Sequence, residues 1–288
     1  MSSERCFMSD DQPSPDGQFD LVPPPGTVIA VSVGNTRAAL GLIKGLDVSS
    51  HRSASSDDAK AVASAAAEIV DASGVEPDAE PDAVLLASVN DAHAGPIAAA
   101  LRERTGLHVE RFGTSLPVPI ATNLAEPGKV GQDRLLAALG AFATVQQACI
   151  VVDAGTALTV DFIDGTGVFH GGAIIPGGQM MLDALHANTG ALPELTLADM
   201  PDPLEPFGTS TENAMFLGVR AAVRGSVRYL AERYADYYDA YPQIIATGGD
   251  AKLLLSGDEL IEHLVPDLVL RGIAAARARY AAGEDAAE

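Results

Sequence analysis

The chain has 288 residues, of which 39 are acidic and 18 basic, and its formal net charge is −21. A charge of this sign repels polyanions at long range, which excludes nucleic acid or an anionic membrane as a partner held by the general field of the protein. Hydrophobic residues make up 47% of the sequence, so a disordered acidic chain is also excluded, and the length suffices for two domains.

Residues 1–26 are rich in Ser, Asp, Pro and Gly, and we expect a disordered acidic leader there. This start has neither the basic nor the apolar region of a signal peptide, and no apolar run reaches the roughly 18 residues of a membrane helix. We therefore expect a cytoplasmic protein. Order begins with the β-branched run at 27–31, and the Gly34-Asn35 turn predicts a hairpin that returns through 38–43.

The later elements mix helices with strands. Helices are predicted over 57–70, 96–105, 132–147 and 211–238, and strands over 83–87, 148–153, 157–162 and 243–247. Because the strand–glycine turn–strand pattern of 27–43 recurs at 148–162, the sequence indicates an internal duplication. We expect an α/β protein with mixed sheets flanked by helices, an N-terminal domain over 27–145, a C-terminal domain over 146–275 and a frayed acidic tail over 276–288.

The two glycine turns are candidate phosphate sites. A glycine after a buried strand lets the backbone approach a ligand closely and aim N–H groups at an anion. Thr36 and Thr156 could add hydroxyl donors, and Asp153 ends its strand with a carboxylate where a cation bridging to phosphate needs one. Each turn could instead be a plain hairpin. Gly248-Gly249 follows a strand and could contact an adenosine or form an ordinary connection.

A series of short segments carries a resemblance to a known family. Residues 32–37 are similar to a phosphate loop Asp-x-Gly-Asn-Thr, 153–159 to a second loop Asp-x-Gly-Thr-Ala-x-Thr, and 131–134 to a Gly-x-Asp-Arg substrate motif. Further segments follow in family order at 171–177, 189–193, 211–214 and 247–250. Over about residues 27–275, this order resembles the type III pantothenate kinases.

The resemblance implies two duplicated ribonuclease-H-like domains of the actin-like ATPase superfold. It also implies transfer of the ATP γ-phosphoryl group to the primary hydroxyl of pantothenate, which opens coenzyme A synthesis, with Mg²⁺ and a monovalent cation, K⁺ or NH₄⁺, as cofactors. A homodimer completes the pocket in this family. The ATP-contacting residues implied by the match are Ser32, Gly34, Asn35, Thr36, Arg37, Gly155, Thr156, Gly248 and Gly249.

The same match implies roles in the acceptor site. Asp133 is the general base, although an acid that opens a helix could also simply stabilise the helix dipole. Arg134 holds the pantothenate carboxylate or developing charge, or is a surface arginine. Asp153 is the monovalent-cation ligand, and Thr211 hydrogen-bonds pantothenate or is a plain helix cap. The implied substrate-binding residues are Leu124, Gly131, Gln132, Asp133, Arg134 and Thr211.

Two positions depart from the family pattern. Ser32 stands where the first loop begins with aspartate, and Leu124 stands where the family often carries a tyrosine. A serine hydroxyl can bind a magnesium ion or its water but supplies no charge. These departures leave two alternatives open: a weak or inactive relative that binds nucleotide or pantothenate as a regulator, and a small-molecule kinase with another acceptor. His170 could be a turn histidine or a cleft residue.

Overall fold

The computed structural model describes residues 21–73 and 80–283, and it contains two five-stranded mixed sheets. The first sheet consists of β1 (Thr27–Val33), β2 (Arg37–Lys44), β3 (Asp47–Ser55), β4 (Pro81–Ser88) and β5 (His108–Arg111). The second consists of β6 (Cys149–Ala154), β7 (Ala157–Ile163), β8 (Phe169–Pro176), β9 (Gln243–Thr247) and β10 (His263–Leu264).

The two sheets have the same topology. Their strand orders are β3-β2-β1-β4-β5 and β8-β7-β6-β9-β10. In each sheet the first three strands in sequence pair antiparallel and the last two are added in parallel. This match confirms the duplication and the α/β class with mixed sheets. It also puts β1 and β6, the strands before the two glycine turns, at the centre of their sheets.

Seven α-helices are formed within the described residues. They are α1 (Ala59–Ser73), α2 (Asp91–Thr105), α3 (Gln132–Val145), α4 (Gly178–Ala187), α5 (Thr211–Tyr238), α6 (Ala251–Leu255) and α7 (Leu268–Ala281). Two short 3₁₀ turns lie at Pro127–Lys129 and Leu197–Asp199. Within the described part of the chain, no helix has both the length and the apolar character needed to cross a bilayer.

Helix α2 begins five residues before its predicted start at Pro96. The side chain of Asn90 caps it by accepting a hydrogen bond from the N–H of Ala92, and Asp91 adds a negative charge in the first turn. A second difference is β3, which sequence reasoning missed. Its side chains are mostly exposed, so it lacks the apolar alternation by which strands are recognised.

Helices α3 and α7 form a layer between the two sheets. The buried cluster around them includes Ala30 of the first sheet and Val151 of the second. Two glycines allow the close contact: a Cβ on Gly272 would lie 1.9 Å from the carbonyl oxygen of Leu136, and one on Gly140 would lie 2.6 Å from that of Leu268. This contact fixes α3, whose N-terminus carries the Gly-x-Asp-Arg motif. Since both sheets share the layer, the domain boundary at 145/146 stays a prediction.

Both predicted chain ends are more ordered than expected. Leu21 packs against the layer between the sheets, and Arg277 of α7 donates a hydrogen bond to the carbonyl of Pro25, so the disorder predicted for 1–26 is wrong for 21–26. The fraying predicted for 276–288 is wrong for 276–281, because Ala276 and Ala278 are buried in α7. Residues 1–20 and 284–288 lie outside the described residues.

Candidate active site

The two glycine turns close equivalent hairpins and meet each other. Gly34 donates its N–H to the carbonyl of Arg37, and Gly155 donates to that of Ala157, each at 3.0 Å. These glycine N–H groups are therefore used within the turns and are not free to bind an anion. The side-chain hydroxyls of Thr36 and Thr156, both exposed residues, lie 3.0 Å apart. Donors from both halves of the molecule thus converge on one point.

Ser32 and Asp153 occupy the same position in the two repeats. Ser32 pairs with Ala39 of β2, and Asp153 with Thr159 of β7; each residue stands two places before its turn glycine on a central strand. Both are half-buried. The second repeat therefore brings a carboxylate to the cleft, whereas the first brings a neutral hydroxyl.

The Gly248-Gly249 turn packs on the end of β6. Gly248 has a φ of +96°, and a Cβ there would lie 2.3 Å from the carbonyl oxygen of Ala154 and 2.4 Å from Oδ1 of Asp153. Any side chain at this position would clash with the backbone, so glycine is required. The N–H of Asp250 donates to the Ala154 carbonyl at 2.9 Å. The predicted adenosine turn and the second phosphate turn therefore form one unit.

Asp153 lies in an acidic and desolvated environment. Burial, followed by the charges of Asp133, Asp161 and Asp250, raises its pKa to about 7. A bound cation would favour its ionised form, so its chemistry fits the monovalent ion implied by the sequence. On the same side of the cleft as Asp153, Asp250 has its pKa raised by burial and partly lowered by Arg37, the exposed first residue of β2 in the other sheet.

The described residues offer few protein ligands for a divalent ion at this site. No three His, Cys, Asp or Glu side chains of the described residues converge to hold a metal. Mg²⁺ usually keeps several waters and is bound by one or two protein groups together with substrate phosphates, an arrangement that does not require such a cluster. The exposed Asn35 and the half-buried Ser32 are oxygen-bearing side chains at the first turn. The residues present therefore fit Mg²⁺ that arrives with a nucleotide.

Asp133 lies in the first turn of α3, beside the Gly131 N-cap. A Cβ on Gly131 would be 2.5 Å from Oδ1 of Asp133, so the glycine leaves room for the carboxylate. Burial raises the pKa of Asp133, and the opposing effects of Arg134 do not cancel this rise. A carboxylate with a raised pKa is a better proton acceptor than an ordinary one. Gln132 packs against Gly113: a Cβ placed on Gly113 would lie 2.9 Å from Cγ and Cδ of Gln132.

Arg134 is held by Asp161 of β7. Its Nε lies 3.0 Å from Oδ2 of Asp161, and its Nη2 donates to Oδ1, which makes the pair bidentate. The side chains are 16% and 2% exposed, and the guanidinium lies over the ring of Phe169 at 5.7 Å from its centroid. The interpretation of Arg134 as a surface arginine is therefore wrong. Asp161 received no role from the sequence, although an aspartate between Val160 and Phe162 in a buried strand was a usable signal.

Of the two remaining predicted substrate residues, Leu124 lies outside the helices and strands and Thr211 lies in α5. Leu124 is half-buried and packs against Gly171: a Cβ placed on Gly171 would lie 3.0 Å from Cδ2 of Leu124. Thr211 is the exposed first residue of α5, and the cap of that helix is Ser210, whose side chain accepts from the N–H of Asn213. The interpretation of Thr211 as a plain helix cap is therefore wrong. Among the described residues, no hydrogen bond joins Thr211 to Asp133 or Arg134.

A pocket of about 860 Å³ adjoins this region between β8 and the C-terminal half of α5. Gly171 and Gly172 line it, and Gly172 abuts Asp161: a Cβ there would lie 2.7 Å from Oδ1. His170 also lines the pocket, with Nε2 at 2.7 Å from Oδ2 of Asp164 and Nδ1 at 3.3 Å from Nδ2 of Asn123. The pocket thus borders the Arg134–Asp161 pair.

Solved structures share this fold at low sequence identity. The activator of 2-hydroxyisocaproyl-CoA dehydratase from Clostridium difficile, solved with bound ADPNP, has a TM-score of 0.52 and 14% identity over 90% of this chain and 97% of its own. The ethanolamine utilization protein EutJ from Carboxydothermus hydrogenoformans has a TM-score of 0.51 and 17% identity over 89% and 91%. With the duplicated sheets, these matches support the actin-like ATPase superfold.

Sequence relatives are closer. The profile of the type III pantothenate kinases matches residues 28–233. Type III pantothenate kinases from Akkermansia muciniphila and Rhodopirellula baltica are 39% and 43% identical over 60% of this chain. The chain spans 66% and 63% of their lengths, which is less than two thirds in both cases. One from Syntrophotalea carbinolica is 30% identical over 85% of this chain and 96% of its own length. The chain therefore belongs to the type III pantothenate kinase family.

Proposed function

We propose that this protein phosphorylates pantothenate at its primary hydroxyl, with ATP as the phosphoryl donor, and produces 4′-phosphopantothenate for coenzyme A synthesis. One observation carries the proposal. The N-terminus of α3 holds a carboxylate, Asp133, close enough to Asp153 at the second phosphate turn for its charge to raise the pKa of Asp153. This electrostatic proximity supports one shared cleft for the candidate base and the candidate phosphate site.

Asp133 is the proposed general base. The transition state of phosphoryl transfer is loose, so the base mainly orients the attacking hydroxyl and accepts its proton late. A carboxylate suits this task, and burial raises its pKa toward the range in which it accepts a proton readily. Gly131 leaves the space that the carboxylate occupies.

The nucleotide is proposed to bind where the two turns meet. Thr36 and Thr156 supply hydroxyl donors to its phosphates, and the Gly248-Gly249 turn, packed on β6, lies on the adenosine side. Mg²⁺ and a monovalent cation, when bound, would neutralise the charge that develops on the phosphates. Ser32 would contact Mg²⁺ or its water, and Asp153 would hold K⁺ or NH₄⁺. These local attractions offset the repulsion between ATP and a chain of net charge −21.

The acceptor is proposed to bind beside α3. Arg134 is proposed to bind its carboxylate, and Leu124 is proposed to pack on the apolar part of the acceptor. Gly131 and Gln132, at the start of the helix, are proposed to line the same site. Thr211 is exposed at the start of α5, and we propose that it contacts the acceptor across a homodimer interface. We also infer a cytoplasmic enzyme with no nucleic-acid or membrane partner.

A weak or regulatory relative remains the second candidate, and Ser32 is the observation that favours it. A coupled ADP-release assay on the purified full chain separates the two candidates. We expect ADP release that depends on pantothenate, ATP and Mg²⁺ and that K⁺ or NH₄⁺ stimulates, measured at low and at high potassium chloride. Absence of pantothenate-dependent turnover in both salts, with nucleotide binding retained, would assign the protein to the regulatory candidate.

A further inference from the structure

We propose that Asp161 is a positioning residue for substrate recognition, which holds one edge of the Arg134 guanidinium and reserves the other edge for the carboxylate of the acceptor. This inference rests on the proposed function, because it names the part of pantothenate that the pair recognises. Asp161 itself contacts Arg134 and is 2% exposed. It therefore acts through Arg134 and does not touch the substrate.

The geometry of the pair supports this division. A guanidinium carries five N–H donors in a planar fork, with one edge formed by Nε and Nη2 and another by Nη1 and Nη2. Asp161 accepts from Nε and Nη2, so its bidentate contact occupies the first edge. The second edge remains for another planar anion, and a carboxylate matches it.

The surroundings of Arg134 keep this orientation. The guanidinium lies over the Phe169 ring, which restricts its plane from one face. Gly172 on β8 leaves room for the Asp161 carboxylate, because a Cβ there would lie 2.7 Å from Oδ1 and 2.0 Å from the Val160 carbonyl oxygen. The pair is therefore fixed by β7, β8 and α3 together, and the arginine is preorganised before the acceptor arrives.

The charge of Arg134 gives a second reason to assign Asp161 a positioning role. If the arginine had no partner, its positive charge would act fully on Asp133, the adjacent residue on α3. Pairing with Asp161 neutralises most of that charge, so the proposed base keeps its proton affinity. Arg134 lowers the pKa of Asp133, and Asp161 raises it. Asp153 on β6 also faces the Asp133 carboxylate. The position of Asp161 thus serves both carboxylate recognition and the base.

Substrate discrimination tests the proposal. Binding of pantothenate and of pantothenol, its neutral alcohol analogue, is measured by calorimetry for the unmodified protein, Asp161→Asn and Asp161→Glu. Steady-state kinetics with both acceptors accompany the binding data. The matched control is Tyr234→Phe, which removes a 3.2 Å hydrogen bond to the carbonyl of Val160 on the same strand without changing a charge.

We expect the unmodified protein to prefer pantothenate over pantothenol by on the order of 10- to 100-fold, the range for hydrogen bonds to a charged group. Asp161→Asn loses most of that preference, because pantothenate binding weakens and pantothenol binding stays nearly constant. Its KM for pantothenate rises more than its kcat falls, and the acidic limb of its kcat/KM profile moves to lower pH. Tyr234→Phe keeps the preference.

The outcomes separate this inference from the proposed function. If the unmodified protein binds neither acceptor, the proposed function and the inference both fail. If it prefers pantothenate and Asp161→Asn keeps that preference, the inference is overturned while the proposed function stands. If Asp161→Asn does not fold, the Asp161→Glu variant provides the test, since it keeps the charge but displaces the guanidinium. The inference requires that this variant lose part of the preference for pantothenate. If it keeps the full preference, the inference is overturned.

Discussion

The hydroxyl oxygens of Thr36 and Thr156 lie 3.0 Å apart, although 120 residues separate them in the chain. Each follows a glycine turn at the end of a central strand, and each strand belongs to a different sheet. Two copies of one hairpin therefore face each other across the cleft. A phosphate chain held there would be contacted from both halves of the protein at once.

Replacing Thr156 by valine should weaken ATP binding by on the order of 10-fold, because one donor to a charged phosphate is lost while the side-chain volume is kept. Calorimetric titration with ATP and Mg²⁺ measures the effect. Thr156→Ser keeps the hydroxyl and should bind within about twofold of the unmodified protein. Equal affinity of the valine and serine variants would contradict a phosphate contact at this residue.

Asp133→Asn should lower kcat by about 10²- to 10⁴-fold, the usual contribution of a positioned general base. Asparagine has the same shape and removes a carboxylate whose ionised form burial disfavours, so the melting temperature should change little. Turnover is measured by ADP release at saturating ATP and pantothenate. Turnover near that of the unmodified protein would show that another group takes the proton.

The pH profile of the unmodified protein should report the same residue. Burial raises the pKa of Asp133, so kcat/KM should fall on acidification through a pKa above the ordinary carboxylate value of about 4. An acidic limb at or below that value would contradict the assignment of Asp133 in its buried environment.

Asp153 should make the stability of the cation-free protein depend on pH. Its pKa is about 7 in the folded chain and 3.8 for an exposed aspartate. Its stabilising contribution is therefore complete below pH 3.8 and is lost as the pH rises through about 7. Asp153→Asn should therefore raise the melting temperature relative to the unmodified protein more at pH 8 than at pH 5. Added KCl should stabilise the unmodified protein at pH 8 and leave the variant unchanged, and an equal response of both would contradict a cation site at Asp153.

Ser32→Asp should raise kcat, by up to on the order of 10²-fold, because it restores at the first turn the carboxylate that the second repeat carries at Asp153. The assay is run at several Mg²⁺ concentrations, and the apparent affinity for Mg²⁺ should rise as well. Ser32→Ala is the control and should lower kcat only slightly. An unchanged or lower kcat in Ser32→Asp would mean that another group has taken over this role.

Gly272→Ala should destabilise the fold by more than about 2 kcal/mol, because its Cβ would lie 1.9 Å from the backbone oxygen of Leu136 and would push α3 away from α7. Gly225→Ala in α5 is the matched control: apart from its own helix backbone, nothing lies within 4 Å of a Cβ there, and the substitution should stabilise by up to about 1 kcal/mol. Urea unfolding measures both. Similar effects of the two substitutions would contradict the close helix contact.

Much of the fold could be predicted from local patterns. The hairpins on either side of Gly34 and Gly155, the helix at 211–238 and the strand at 243–247 follow from apolar runs, turn residues and helix formers close together in sequence. The exposed strand β3 and the capped start of α2 escaped prediction, because their stability comes from sheet pairing and from one side-chain hydrogen bond. Order at 21–26 and 276–281 likewise depends on packing against distant residues.

The sequence by itself determined the duplicated hairpins, the family and the residue types of the site, because each of these is encoded in short contiguous segments. Only the tertiary structure decided which of those residues meet. The contact of Thr36 with Thr156 and the capture of Arg134 by Asp161 join positions 120 and 27 residues apart. Such pairs form because α3 and α7 pack between the two sheets and the ends of the central strands come together, and no local propensity carries that information.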